Sequence, residues 1–171
     1  IPVYFLTWFS ISEGFLNVGY YSRANSLLII GTVIASSVGP LLYSKWSLVK
    51  GKELKLQVRR VSLLLAFVNT LLAIGLIIFA PIFIRILYGT EYQTAAPVLR
   101  LLALTMIANG AKEVSYGILS SQGSPLSIMK NLVIGIILSA ILNYFIIPQF
   151  GVIGCSVVTV LVTFTTAFLL Q

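Results

Sequence analysis

Lys112 and Glu113 stand side by side in the run Pro97 to Ser121, which is otherwise apolar enough to cross a bilayer. Charge at that depth is costly, and such residues turn toward a protein interior or a water-filled cavity, where they serve a substrate or ion pathway. Thr105, Asn109, Lys112, Glu113, Tyr116 and Ser120 follow offsets of 4, 7, 8, 11 and 15 from the first. Those offsets recur on one side of an α-helix, so the polar stripe should face a cavity or another helix, not lipid. Neighbouring residues point about 100° apart on a helix, so Lys112 and Glu113 do not make the usual pair with each other, and each needs a partner elsewhere. The competing reading ends the span near Ala111 and leaves both charges at the cytoplasmic interface, with Lys112 snorkelling. Arg23 lies one turn into an earlier apolar stretch and Arg100 one turn into this one. Arginine binds phosphate through two parallel hydrogen bonds, which suits an anionic lipid-linked substrate; an arginine one turn from a span end also reaches headgroups, the reading favoured for Arg85. The candidate substrate-binding set is therefore Arg23, Asn109, Lys112, Glu113, Tyr116 and Arg100.

Composition narrows the chemistry further. The 171 residues are 58% hydrophobic and 9% charged, too few charges to coat a soluble domain, and the chain belongs in lipid. With no His, one Cys and four acids, there is no metal cluster or disulfide to expect and no paired-carboxylate catalysis, so no enzyme and no cofactor are expected. Ion coupling, to H+ or Na+, stays open. Cys155 reads as a small core residue. The net charge of +7 points to lipid headgroups and cytoplasmic retention, not to nucleic acid.

The elements that must position these residues are read by span length. Apolar stretches cover 1–11 (a partial span), 19–43, 61–87, 97–121, 126–147 and 152–170, giving an all-α polytopic membrane bundle of about five full spans plus one partial. At 1.5 Å per residue the third is about 40 Å long against roughly 30 Å of hydrocarbon, so it must tilt or kink, most simply at Pro81. The corner Pro148 to Gly151 joins the last two. Lys45, Lys50, Lys52, Lys55, Arg59 and Arg60 crowd the connection before the third span and place it in the cytoplasm, leaving the corners at 12–17, 88–96 and 148–151 outside. Tyr4, Trp8, Tyr20, Tyr21, Tyr43, Trp46, Tyr88, Tyr92 and Tyr144 fall near span ends as interfacial anchors. Ser156, Thr159, Thr163 and Thr166 near helical spacing suit close helix packing. The chain starts inside an apolar stretch and reads as a fragment, a single lobe over 1–171.

The order of features resembles a known family. Phe9-Ser-Ile-Ser-Glu13 leads to Val18-Gly-Tyr-Tyr-Ser-Arg-Ala24, then Gly39-Pro-Leu-Leu-Tyr43 before the basic segment. Ala80-Pro81 precedes Leu87-Tyr-Gly-Thr-Glu-Tyr92 and Ala95-Ala-Pro-Val-Leu-Arg-Leu-Leu102; Gln122-Gly123, Asn143 to Pro148 and Gly151-Val-Ile-Gly154 follow. This resembles the second lobe of polysaccharide flippases in the multidrug/oligosaccharidyl-lipid/polysaccharide exporter superfamily. The resemblance implies two pseudo-symmetric bundles in a bacterial or archaeal cytoplasmic membrane, which move undecaprenyl-pyrophosphate-linked glycan to the outer leaflet by alternating access. It implies a missing N-terminal lobe as partner, and a basic cavity role for Arg23 and Lys112 with Asn109 and Glu113 beside them. Three rivals remain. A drug or organic-cation exporter of the same superfamily wants acids in its cavity, where this chain offers Glu113; a membrane-embedded polysaccharide polymerase wants a large outer loop, which this chain lacks; a structural membrane subunit wants neither.

Overall fold

A computed structural model describes residues 2–9, 14–36, 52–121 and 125–170. Among them the chain forms α1 (Pro2–Phe9), α2 (Gly14–Ser36), α3 (Lys52–Tyr88), a 3-10 turn (Thr90–Tyr92), α4 (Ala95–Ser121) and α5 (Pro125–Phe168). Residues 37–51 lie outside the described set, and with them the end of the expected 19–43 span and the first half of the basic segment.

Helix α3 stops at a glycine. Gly89 has φ 85°, ψ 178°, a conformation open essentially to glycine, and its N–H meets the Arg85 carbonyl at 3.1 Å. The 3-10 turn then reverses the chain, and α4 packs back against α3 in the most extensive helix contact of the bundle. Helix α4 is also the hub for α2 and α5, and it buries Val98, Leu99, Leu102, Ala103 and Met106.

Leu56–Tyr88 and Leu126–Phe168 are long and apolar enough to cross a membrane. The second is 43 residues, about 65 Å as a straight helix and roughly twice the hydrocarbon thickness. It does not run straight. Gly151 takes φ 54°, ψ −133°, a conformation open essentially to glycine, and the two arms fold together as a hairpin. Asn131 of the first arm reaches the Thr166 carbonyl of the second at 2.9 Å, and Gly135 faces Thr166 and Val162. The outward sides of α3 and α5 expose Leu63, Leu64, Phe67, Leu71, Leu132, Val133, Ile136 and Ile137. In water such a surface is an aggregation hazard; in lipid it is the solvated face. The chain is an all-α polytopic membrane bundle.

Three boundaries differ from the sequence expectation. Helix α2 begins at Gly14, inside the stretch 12–17 expected as a corner, because polar side chains such as Asn17 are compatible with helical backbone bonding. Helix α3 begins at Lys52, so Lys52, Lys55, Arg59 and Arg60 ride on its first turns and not in a loop; Arg59 and Arg60 are exposed. The four-residue corner at Pro148 to Gly151 contracts to Gly151 alone, with Pro148 inside the last turn of the first arm.

Candidate functional site

At 100° per residue, Thr105, Asn109, Lys112, Glu113, Tyr116 and Ser120 occupy a sector about 100° wide on α4. Val98 and Leu102, both fully buried, lie in the same sector one to two turns before Thr105, and the fully buried Met106 follows at its edge. One face of α4 thus stays turned into the bundle and changes from apolar to polar at Thr105, which is itself buried and donates to the Leu102 carbonyl at 2.6 Å. Helix α4 continues unbroken through Lys112 to Ser121.

Lys112 is the centre of the polar part. Its Nζ donates to Thr166 Oγ1 on the second arm of α5 at 3.1 Å and stands 5.9 Å from the Tyr116 ring centroid. Thr166 is buried, and its hydroxyl in turn donates to the carbonyls of Val162 at 2.8 Å and Thr163 at 3.1 Å. Its own carbonyl accepts from Asn131 Nδ2. Lys112, Thr166 and Asn131 therefore tie α4 to both arms of α5 through one threonine. The contact is close because Gly135 has no side chain: a Cβ there would lie 3.0 Å from Thr166 Cγ2. Buried atoms around this junction keep unused capacity, since Tyr116 Oη and Asn131 Oδ1 have no hydrogen-bond partner among the described residues. Lysine carries three N–H donors and Thr166 takes one, so the ammonium can still meet an anionic oxygen. Asn109 and Glu113 are half-buried beside it.

The arginines lie elsewhere. Arg23 is exposed on α2, its guanidinium 5.2 Å from the Tyr88 ring centroid and 6.0 Å from that of Tyr92. Tyr92 adjoins the start of α4, and 17 residues separate Ala95 from Lys112, about 25 Å of helix axis. Arg100 is also exposed and directs Nε to the Ile77 carbonyl of α3 at 3.2 Å. The structure brings together Asn109, Lys112, Glu113 and Tyr116, and leaves Arg23 and Arg100 apart from them and from each other.

Thr166 and Asn131 were missed as site residues. The signal for Thr166 was its place in the hydroxyl series of the last arm; Asn131 left none beyond a polar residue in an apolar run. The rest of that series packs: Ser156, Thr159 and Thr163 bond carbonyls one turn back, and Thr159, already donating to Cys155, accepts from the buried Tyr21 hydroxyl at 3.1 Å. Among the described residues no group of His, Cys, Asp and Glu could hold a metal ion.

Comparison with known proteins bears on this geometry. The MatE family profile matches residues 20–145, from α2 through most of the first arm of α5. An uncharacterized membrane protein of Methanocaldococcus jannaschii is 31% identical over 145 residues, 82% of this chain and 29% of its own length. A Haloferax volcanii protein named "probable low-salt glycan biosynthesis flippase" is 26% identical over 167 residues, 92% of this chain and 35% of its own length. The chain spans about a third of these relatives. No solved structure matches it.

Proposed function

The chain belongs to the MatE family, of the multidrug/oligosaccharidyl-lipid/polysaccharide exporter superfamily, and from that premise we propose that it is one lobe of a flippase. The whole protein would carry lipid-linked oligosaccharide or polysaccharide repeat units from the cytoplasmic to the outer leaflet of a bacterial or archaeal cytoplasmic membrane. It would act by alternating access between this lobe and an N-terminal one, without catalysis. The name of the Haloferax relative supports the glycan class.

The observation that carries the reading is the Lys112 ammonium, half-buried on the inward face of α4 and held by Thr166. A fixed cation in a low-dielectric bundle interacts far more strongly with a pyrophosphate than a cation in water does. Asn109 and Tyr116 add neutral donors for the same anion. In the full-length protein, Lys112→Ala should lower glycan export in a flippase-null strain about tenfold or more at equal protein level, the loss of one charge-assisted hydrogen bond. Lys52→Ala should leave export near normal. Unchanged export by Lys112→Ala would remove the anion-binding role. A rise in organic-cation resistance that depends on Glu113 would favour the drug-exporter reading instead.

A further inference from the structure

The tyrosine-bound Arg23 sits at the mouth of an apolar groove that plays no part in the Lys112 site. The groove, about 340 Å³, runs between α2 and α3 from Leu27 to Gly31 on one side and from Leu71 to Leu87 on the other. Arg23 is one helical turn before Leu27, and Tyr88, over which its guanidinium lies, directly follows Leu87. From Leu71 to Leu87, sixteen rises of α3 measure about 24 Å, more than half of a hydrocarbon core of roughly 30 Å, so the groove is long enough for one hydrocarbon chain of one leaflet.

We propose that this groove and Arg23 form a binding site for one membrane phospholipid, in the leaflet at the Gly89 end of the bundle. The hydrocarbon chain lies between α2 and α3, and the phosphate meets Arg23. Three observations select that occupant. The wall is apolar throughout, and it is open at Gly75, where a Cβ would meet nothing within 4 Å. Arg23, Arg85 and Glu91 carry the charge at this end of α2 and α3 among the described residues, a net positive set, and the cation stacked on Tyr88 is Arg23. That cation is held in advance: Tyr88 and Tyr92 cover the guanidinium, and Tyr20 braces Tyr92 edge-on at 6.0 Å between centroids. Stacking occupies the face of an arginine and leaves its edge N–H groups to grip a phosphate with two bonds. Such a lipid is a resident of the fold and not the transported cargo, so the site does not depend on the flippase reading.

Native mass spectrometry on the delipidated full-length protein, titrated with phosphatidylglycerol, tests this. The expected result is a single-lipid adduct that survives detergent removal. Arg23→Gln should reduce the bound fraction about tenfold, the factor expected for one charge-assisted contact. Gly75→Phe, which fills the groove and leaves Arg23 in place, should abolish the adduct at an unchanged melting temperature. Diacylglycerol, lacking the phosphate, should bind as weakly to the parent as phosphatidylglycerol does to Arg23→Gln, and inorganic phosphate should not be retained. Equal adducts in the parent and both variants, or no adduct because another part of the protein covers the groove, would overturn the proposal.

Discussion

The Nε–H of Arg100 donates to the carbonyl of Ile77, and Ile77 is the residue four before Pro81. In a regular helix that carbonyl accepts from the amide of residue 81, which proline does not have. A side chain of α4 thus supplies the hydrogen bond that a proline in α3 removes, and α3 continues as helix through the site. In lipid no water stands in for the missing donor.

Arg100 and Pro81 should therefore be coupled. Arg100→Gln should destabilise the protein in detergent by about 1–3 kcal/mol, the range for losing a charge-assisted bond to a carbonyl without another donor. In a Pro81→Ala background, where the amide is restored, the same change should cost markedly less. A double-mutant cycle on thermal unfolding reads the difference, and additive effects would show that the 3.2 Å contact carries no energy.

The two glycines of the α5 corner should fail for different reasons. At Gly151 a Cβ has open space, but φ 54°, ψ −133° strains any other residue, and Gly151→Ala should cost about 1–3 kcal/mol. At Gly154 a Cβ would lie 2.8 Å from both Ile146 Cγ2 and Phe150 Cβ and 3.1 Å from the Ile146 carbonyl, so Gly154→Ala must push the arms apart. It should cost at least as much, because part of what it meets is backbone, which repacks poorly. Melting temperatures of the two variants decide this; a neutral Gly154→Ala would contradict the packing of the corner.

These cases also show what the sequence could and could not say. The all-α membrane class and the α5 hairpin were legible because apolar length and glycine-proline punctuation are local signals. The polar stripe on α4 was legible for the same reason, since one helix carries all of it. Lys112 with Thr166 was not, because they stand 54 positions apart and only the hairpin at Gly151 brings them together. The bond from Arg100 to the Ile77 carbonyl was not legible either, because nothing local links Arg100 to Pro81, 19 residues away. The basic segment was misjudged in form: a run of cations signals orientation to a membrane whether its backbone is loop or helix, so charge alone did not show that α3 starts at Lys52.

Orientation has its own test. Single cysteines at Lys50 and Thr90, in a background with Cys155 replaced, should differ in labelling by a membrane-impermeant thiol reagent in intact cells. Thr90 lies in the exposed turn after α3 and should label, whereas Lys50, beside the cationic start of that helix, should label only after lysis. The opposite pattern would invert the bundle.

The junction at Thr166 separates a built-in cation from one that merely reaches for water. If Lys112 snorkels, its ammonium does not depend on Thr166, and Thr166→Val and Lys112→Met should have additive effects on stability. If the 3.1 Å bond holds the ammonium in the bundle, Thr166→Val leaves a half-buried charge without its acceptor. That should cost about 1–3 kcal/mol in thermal unfolding. Valine keeps the methyl group that packs against Gly135, so the loss isolates the hydroxyl. Thr166→Ser, which keeps the hydroxyl and drops the methyl, should retain most of the coupling. Lys112→Met removes the charge that needs the acceptor, so adding it to Thr166→Val should recover part of the loss, a non-additivity that a snorkelling lysine cannot produce.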